Sequence, residues 1–196
     1  MTITAKEIAE LRAKTGLPMM EVKSALIEAR GDEEEAIKIL RKKGLSKVSK
    51  RAERETKSGL IESYVHDGKI GVLVEVLTET DFVAKNDEFK EFVHDIALHV
   101  AATNPKYLSR EEIPASELEK ETQILMDEAK ATGKPEEIAK KIVEGKLNNY
   151  FAEICLMDQP FIKDQDQKIE DMLTDLVSKI GEKIVISRFC RFELGK

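Results

Sequence analysis

The chain has 196 residues, 41% hydrophobic and 36% charged, with a net charge of −6. That is enough apolar material for one sizeable core and a small second one, and the acidic balance argues against general nucleic-acid binding through a basic surface. No apolar run approaches the roughly 20 residues of a membrane span, and Met1-Thr2-Ile3-Thr4-Ala5-Lys6 has no basic start leading into an apolar signal region, so a soluble, cytoplasmic protein is expected. Taken in order, Thr4 reads as the N-cap of a first helix, with Glu7 its capping-box partner and Ile3 and Ile8 in staple positions. Thr15-Gly16 breaks that helix; Pro18 opens a second with Val22, Ala25, Leu26 and Ala29 on one side, and Gly31 ends it. Asp32, with Glu35 three residues on, caps a third helix whose Ala36, Ile37, Ile39 and Leu40 face inward, with Lys42-Lys43 at its end before Gly44. Residues 1–45 are thus expected to form a three-helix module near the lower size limit for independent folding.

Residues 46–57 read as a basic linker. From Arg41 to Lys57, eight basic residues against Glu53 and Glu55 leave a net charge of +6, which suits a solvated connection or contact with an acidic partner or RNA. Residues 58–196 read as the core. Gly59 to His66 and Lys69 to Thr78 are two strands joined by Asp67-Gly68, a pair suited to a type I′ turn. A helix from about Asp87 to Thr103 carries Phe89, Val93, Ile96 and Val100 on one stripe and closes at Asn104-Pro105. Pro114 or Ser116 opens another helix with Leu118, Ile124 and Leu125, and Gly133-Lys134-Pro135 punctuates. Two further helices are expected, Pro135 to about Glu144 and Lys146 to about Leu156, with Ile138, Ile142, Leu147, Phe151 and Ile154 inside. Gln159-Pro160-Phe161 reads as an irregular turn. Ile169, Met172, Leu173, Leu176 and Ile180 mark a helix that stops at Gly181, and Lys183 to Glu193 is a last strand.

The expected fold class is α+β, a three-stranded antiparallel sheet packed with helices. Such a sheet leaves two edges, and pairing with a second chain is one remedy, so a dimer is expected. Cys190 on the last strand lies either near that interface or buried as a small apolar residue. Cys155 and Cys190 fit neither a disulfide scaffold nor paired zinc ligands, and His66, His94 and His99 are scattered. No metal and no cofactor are expected.

Between the second strand and the helix after it stands Thr80-Asp81-Phe82-Val83, a carboxylate beside a large aromatic on a short connection. Two readings are open: a displayed tip held by rigid elements, or an early helix start capped by Thr80 or Asp81 with Phe82 in the core. Leu17, Met19 and Met20, read as exposed near the first turn of the second helix, are likewise either core or an adaptable apolar contact.

Glu75-Val-Leu-Thr-Glu-Thr-Asp-Phe-Val-Ala-Lys85 closely resembles one of two motifs of the elongation factor Ts family, the guanine-nucleotide exchange factors of elongation factor Tu. Leu11-Arg-Ala-Lys-Thr-Gly-Leu-Pro-Met-Met-Glu-Val-Lys-Ser-Ala-Leu26 resembles the other, and the likeness continues through Gln159-Pro160-Phe161 to Arg188-Phe-Cys-Arg-Phe-Glu-Leu194. Leu77-Thr78 departs from the small residue, such as Cys, that the family often has there. The resemblance implies a ubiquitin-associated-like N-terminal module that docks on elongation factor Tu through Leu11, Arg12, Leu17, Met19 and Met20. It further implies a tip, Thr80, Asp81, Phe82 and Val83, that disturbs the Mg²⁺ and nucleotide site of elongation factor Tu, and a homodimer that supplies the second core subdomain of longer relatives.

No Gly-rich phosphate loop and no nucleophile with a nearby base motif is present, so no catalytic residues and no enzyme are expected. An exchange factor needs none; it must only bind the nucleotide-free GTPase more tightly than the loaded one.

Overall fold

A computed structural model of the chain describes residues 3–131 and 135–196; Met1-Thr2 and the expected break at Gly133-Lys134 lie outside them. Among the described residues the helices are α1 (Ala5–Thr15), α2 (Met19–Glu28), α3 (Glu33–Arg51), α4 (Asp81–Ala84), α5 (Asp87–Thr103), α6 (Ala115–Ala131), α7 (Glu136–Ile154) and α8 (Ile169–Ile180). The strands are β1 (Ser58–His66), β2 (Ile70–Thr78), β3 (Pro160–Phe161), β4 (Asp164–Lys168) and β5 (Ile184–Glu193). The fold is α+β, with an antiparallel sheet ordered β1-β2-β5. The chain divides into two units, one of Met1–Ile61, Glu75–Val93 and Asp171–Ser187, the other of Glu62–Val74, His94–Glu170 and Arg188–Lys196.

In the first unit, α1 starts as its sequence dictates: Glu7 N donates to Thr4 Oγ1 while Thr4 N donates to the Glu7 carboxylate at 2.7 Å. Gly16 adopts φ 67° as the left-handed cap that ends it. Ile8, Leu11, Leu17, Val22, Ala25, Leu26, Ala36 and Leu40 form one buried cluster joining α1, α2 and α3. The second helix ends before Gly31, because Arg30 already turns left-handed at φ 54°.

The third helix departs from expectation. It does not stop at Gly44 but runs 19 residues to Arg51, so the first six residues of the expected basic linker are helical. Gly44 is buried, and a Cβ there would meet Ser178 Oγ at 2.8 Å and Thr174 Cγ2 at 3.3 Å. The glycine that read as a stop instead permits close approach to α8.

The β1–β2 connection is the type I′ hairpin its sequence demands, with Asp67 at φ 50°, Gly68 at φ 66° and Lys69 N donating to His66 O at 2.9 Å. Along β2, Val72, Val74, Val76 and Thr78 point inward, whereas Leu73 is exposed. Phe89, Val93, Ile96 and Val100 of α5 are all fully buried.

In the second unit the two expected helices on either side of Gly145 are one, α7, 19 residues long. Nothing lies within 4 Å of a Cβ at Gly145, so the glycine merely weakens the helix without ending it. Its buried face is Ala139, Val143 and Ile154, against Leu125 and Ala129 of α6 for the first two; Ile138 is exposed, and Ile142 and Leu147 are only partly buried. Gln159-Pro160-Phe161 is not an irregular turn, since Pro160 and Phe161 pair with β4 in a small antiparallel ladder. Beneath it His99 is fully buried, with Nε2 2.9 Å from Gln159 Oε1 and Nδ1 accepting from Ile162 N at 3.3 Å. That pairing assigns the neutral imidazole with its proton on Nε2, and burial pushes its pKa below the ordinary value. Cys190 is exposed, not buried as a small apolar residue, whereas Cys155 is buried and its thiol is pushed up to about 11.

Candidate functional site

The strand β2 ends at Thr78, whose side chain is fully buried, and the chain then turns through Glu79 and Thr80 into the single helical turn α4. A four-residue helix has no stability of its own, since nucleation outweighs the one or two bonds it closes. Its geometry is therefore imposed from both ends.

At the entrance, Thr80 is extended (φ −125°, ψ 156°) and makes no side-chain cap to its own helix. Its hydroxyl donates to Glu182 Oε1 at 2.7 Å and its backbone N–H to Glu182 Oε2 at 3.0 Å, while Thr78 Oγ1 donates to the same oxygen at 3.0 Å. Glu79 is held in parallel. Its carboxylate accepts from Lys183 N at 2.6 Å and from Arg54 Nη1 at 3.2 Å; the Lys183 N–H does most to hold this carboxyl below its ordinary pKa, with Arg54 and Arg51 adding to it. At the exit, Val83 is buried, and Asn86 Oδ1 accepts from Phe89 N at 3.2 Å, capping α5.

What remains outside is Asp81 and Phe82. Phe82 is 79% exposed, the most open of the large apolar side chains in the structure described. Asp81 is exposed and pairs with Lys85 Nζ at 2.7 Å, one turn on, which holds its carboxyl below the ordinary value. Thus the two readings left open by the sequence each describe half of the segment: Thr80 does precede a short helix, yet Phe82 lies outside the core. The arrangement leaves an apolar ring and a carboxylate side by side in solvent on a turn bonded at its entrance and buried at its exit.

The N-terminal residues divide as well. Leu11 is 1% exposed and Leu17 is buried, both within the α1–α2–α3 cluster, which corrects the expectation of an exposed Leu17. Arg12, Met19 and Met20 are exposed, Met20 at 72%. Pro18 sits just before α2 and pins its first turn, where both methionines project.

Sequence reasoning missed Glu79, Glu182, Lys183 and Arg54. Glu79 is adjacent to the tip and so was within reach, but Glu182 lies 102 positions from the threonine it holds. The only local sign is Gly181, whose φ of 87° ends α8 and turns the next residue toward the tip. No three His, Cys, Asp or Glu side chains cluster as metal ligands among the described residues, and no described helix is long and apolar enough to cross a membrane.

Comparison with known proteins agrees in extent with the motifs. The family model described as Elongation factor TS matches residues 2–196. Elongation factor Ts of Alkaliphilus oremlandii is 53% identical over 196 residues, covering 100% of this chain and 91% of that protein. The protein of the same name from Geobacter sulfurreducens is 52% identical over 197 residues, with 100% and 91% covered. In Fervidobacterium nodosum it is 52% identical over 197 residues, and both chains are covered in full. With the match running from the N-terminal module through the tip to the last strand, the chain belongs to the elongation factor Ts family of translation elongation factors.

Proposed function

We propose that the chain is a guanine-nucleotide exchange factor that binds elongation factor Tu in its GDP form and promotes release of GDP, so that GTP can rebind. The observation that carries this reading is Phe82, 79% exposed beside Asp81 on a turn anchored at both ends. No bond-making step is required of the protein. It binds the nucleotide-free partner more tightly than the loaded one, and by reciprocity the partner then holds nucleotide more weakly.

Each side chain has a physical role. Burying the Phe82 ring in the partner contributes roughly 1.5 to 3 kcal/mol, or ~10- to 100-fold in the exchange equilibrium, if the pocket exists only in the nucleotide-free state. Asp81 brings a carboxylate that is charged at neutral pH close to the Mg²⁺ and phosphates, where added negative charge rearranges the ion's ligand shell. Thr80 and Val83 set the geometry of the turn. The module, here residues 1–45 with 46–57 joining it to a core of 58–196, adds affinity through Arg12, Met19 and Met20, with Leu11 and Leu17 shaping that surface from inside.

Stopped-flow release of a fluorescent GDP from elongation factor Tu tests this. Asp81→Ala combined with Phe82→Ala is expected to slow the accelerated release by roughly 10- to 100-fold with circular dichroism and Tm unchanged; full acceleration by that variant would sink the assignment.

The same reading includes a homodimer. Val65, Leu73 and Phe192 are exposed apolar side chains on β1, β2 and β5, Cys190 is exposed on β5, and β1 and β5 are the sheet's edges. Sedimentation equilibrium should give twice the chain mass, and Phe192→Glu should shift it to the monomer.

A further inference from the structure

We infer that Glu182 is a positioning residue for nucleotide exchange: it holds Thr80 so that Asp81 and Phe82 stay outside. This rests on the reading of the tip given above and extends it to a residue on another element. The carboxylate takes three donors, Thr78 Oγ1 at 3.0 Å, Thr80 N at 3.0 Å and Thr80 Oγ1 at 2.7 Å, and these come from the two threonines that bracket the turn. A charged acceptor shared by three donors is well matched, because a carboxylate only accepts and has room for all of them.

The geometry gives those bonds a consequence beyond stability. An exposed phenyl ring gains by collapsing onto nearby apolar surface, and a single helical turn has little resistance to that. Val83 pins the far side of the turn, and the extended Thr80 sets the direction in which α4 departs. Only Glu182 fixes the position of the Thr80 N–H and hydroxyl among the hydrogen bonds described, since the hydroxyl makes no cap to α4 itself.

The next residue strengthens the clasp. Lys183 N donates to Glu79, and Lys183 Nζ donates to Ala52 O at 2.6 Å and Arg54 O at 2.9 Å, just past the end of α3. The Gly181 turn therefore places two consecutive residues so that one backbone corner grips the tip's base and the segment following α3. Among groups outside the tip, this corner is where a change would alter the direction of Phe82 without touching it.

The test compares Glu182→Ala, Glu182→Gln and the Asp81→Ala/Phe82→Ala pair in stopped-flow release of fluorescent GDP from elongation factor Tu, titrating each protein to saturation. Glutamine keeps one acceptor for Thr78 Oγ1 and Thr80 N, and its amide donates to the Thr80 hydroxyl, so it should retain most of the maximal rate. Glu182→Ala should lower the maximal rate roughly tenfold, the scale of a lost charged hydrogen bond, with the half-saturating concentration unchanged because the module's contacts persist. A folded Glu182→Ala protein with the full maximal rate overturns the proposal, as does an equal loss in alanine and glutamine variants. Should Glu182→Ala fail to fold, Thr80→Val, which removes the Oγ1 bond alone, replaces it; a lowered maximal rate upholds the proposal and an unchanged one overturns it. If the Asp81→Ala/Phe82→Ala pair keeps full activity, the reading of the tip itself fails; if only the Glu182 and Thr80 variants do, the positioning role alone fails.

Discussion

The two units use polar groups in opposite ways. In the first, carboxylates do the holding near the surface: Glu79 and Glu182 receive donors around the base of the tip, and Asp81 and Phe82 beyond it are exposed. In the second, polar groups are locked inside against one another. His99 and Gln159 are buried against one another, Thr103 Oγ1 donates to Gln159 Oε1 at 2.9 Å, and the Tyr150 hydroxyl is pushed up to about 12 by burial and by Glu117. Charge that fixes a surface feature can remain near water at little desolvation cost, whereas an interior network is stable only if every member is paired. One unit is built for display and the other for closure.

The largest expected effect separates display from core within the first unit. Leu11→Ala should lower stability by ~2 to 5 kcal/mol, since it empties a fully buried site, while Met19→Ala with Met20→Ala should leave Tm unchanged and weaken only partner affinity. Denaturant melts and binding titrations read the two; a Tm loss from the methionine pair would show that both regions are core.

Next comes the contrast of Gly44 and Gly145, which lie in 19-residue helices of different units. Gly44→Ala should destabilise by about 1 to 3 kcal/mol, because its Cβ would fall 2.8 Å from Ser178 Oγ.

Acid should then distinguish the units by pH. Burial lowers the pKa of His99, so the unfolded chain takes up its proton first, and stability present above the ordinary value of 6.5 falls as pH drops below it, by at most about 1.4 kcal/mol per pH unit. Glu79 is also lowered, but as an acid: its contribution is present above 4.5 and is lost only as pH falls below that toward its folded value. At pH 5.5 the hydrogen-exchange protection factor, the intrinsic rate at that pH over the observed rate, should therefore fall at the Ile162 amide, which donates to His99, before it falls at the Lys183 amide, which donates to Glu79. The reverse order would contradict this account.

The smallest effect is a gain. Gly145→Ala faces open space inside α7 and should stabilise by ~0.5 to 1 kcal/mol from helix propensity alone, measured by thermal melting.

Much of the fold can be read along the chain because its causes are local. The Thr4 capping box, the Asp32 cap, the Asp67-Gly68 hairpin and the α5 stripe each follow from residues within a few positions of one another. The same holds for the location of the tip, since a β-rich run and an amphipathic run flank a short polar connection. Glycine was the weak signal. At Gly44 and Gly145 propensity argued for an end, but neighbours decided, in one case by α8 coming within contact distance and in the other by a helix long enough to carry the cost.

Which side of a segment meets solvent is a different kind of fact. Phe82 outside, Leu17 inside and Cys190 exposed all depend on what the rest of the chain places nearby, and similar apolar residues went opposite ways. The hold of Glu182 on Thr80 reaches across 102 positions, and a hydrogen bond depends on distance in space rather than along the chain. Local pattern thus specified most of the elements and where the short connection between β2 and α5 falls. The packed fold alone chose which of its side chains are exposed and which distant carboxylate bonds to Thr80.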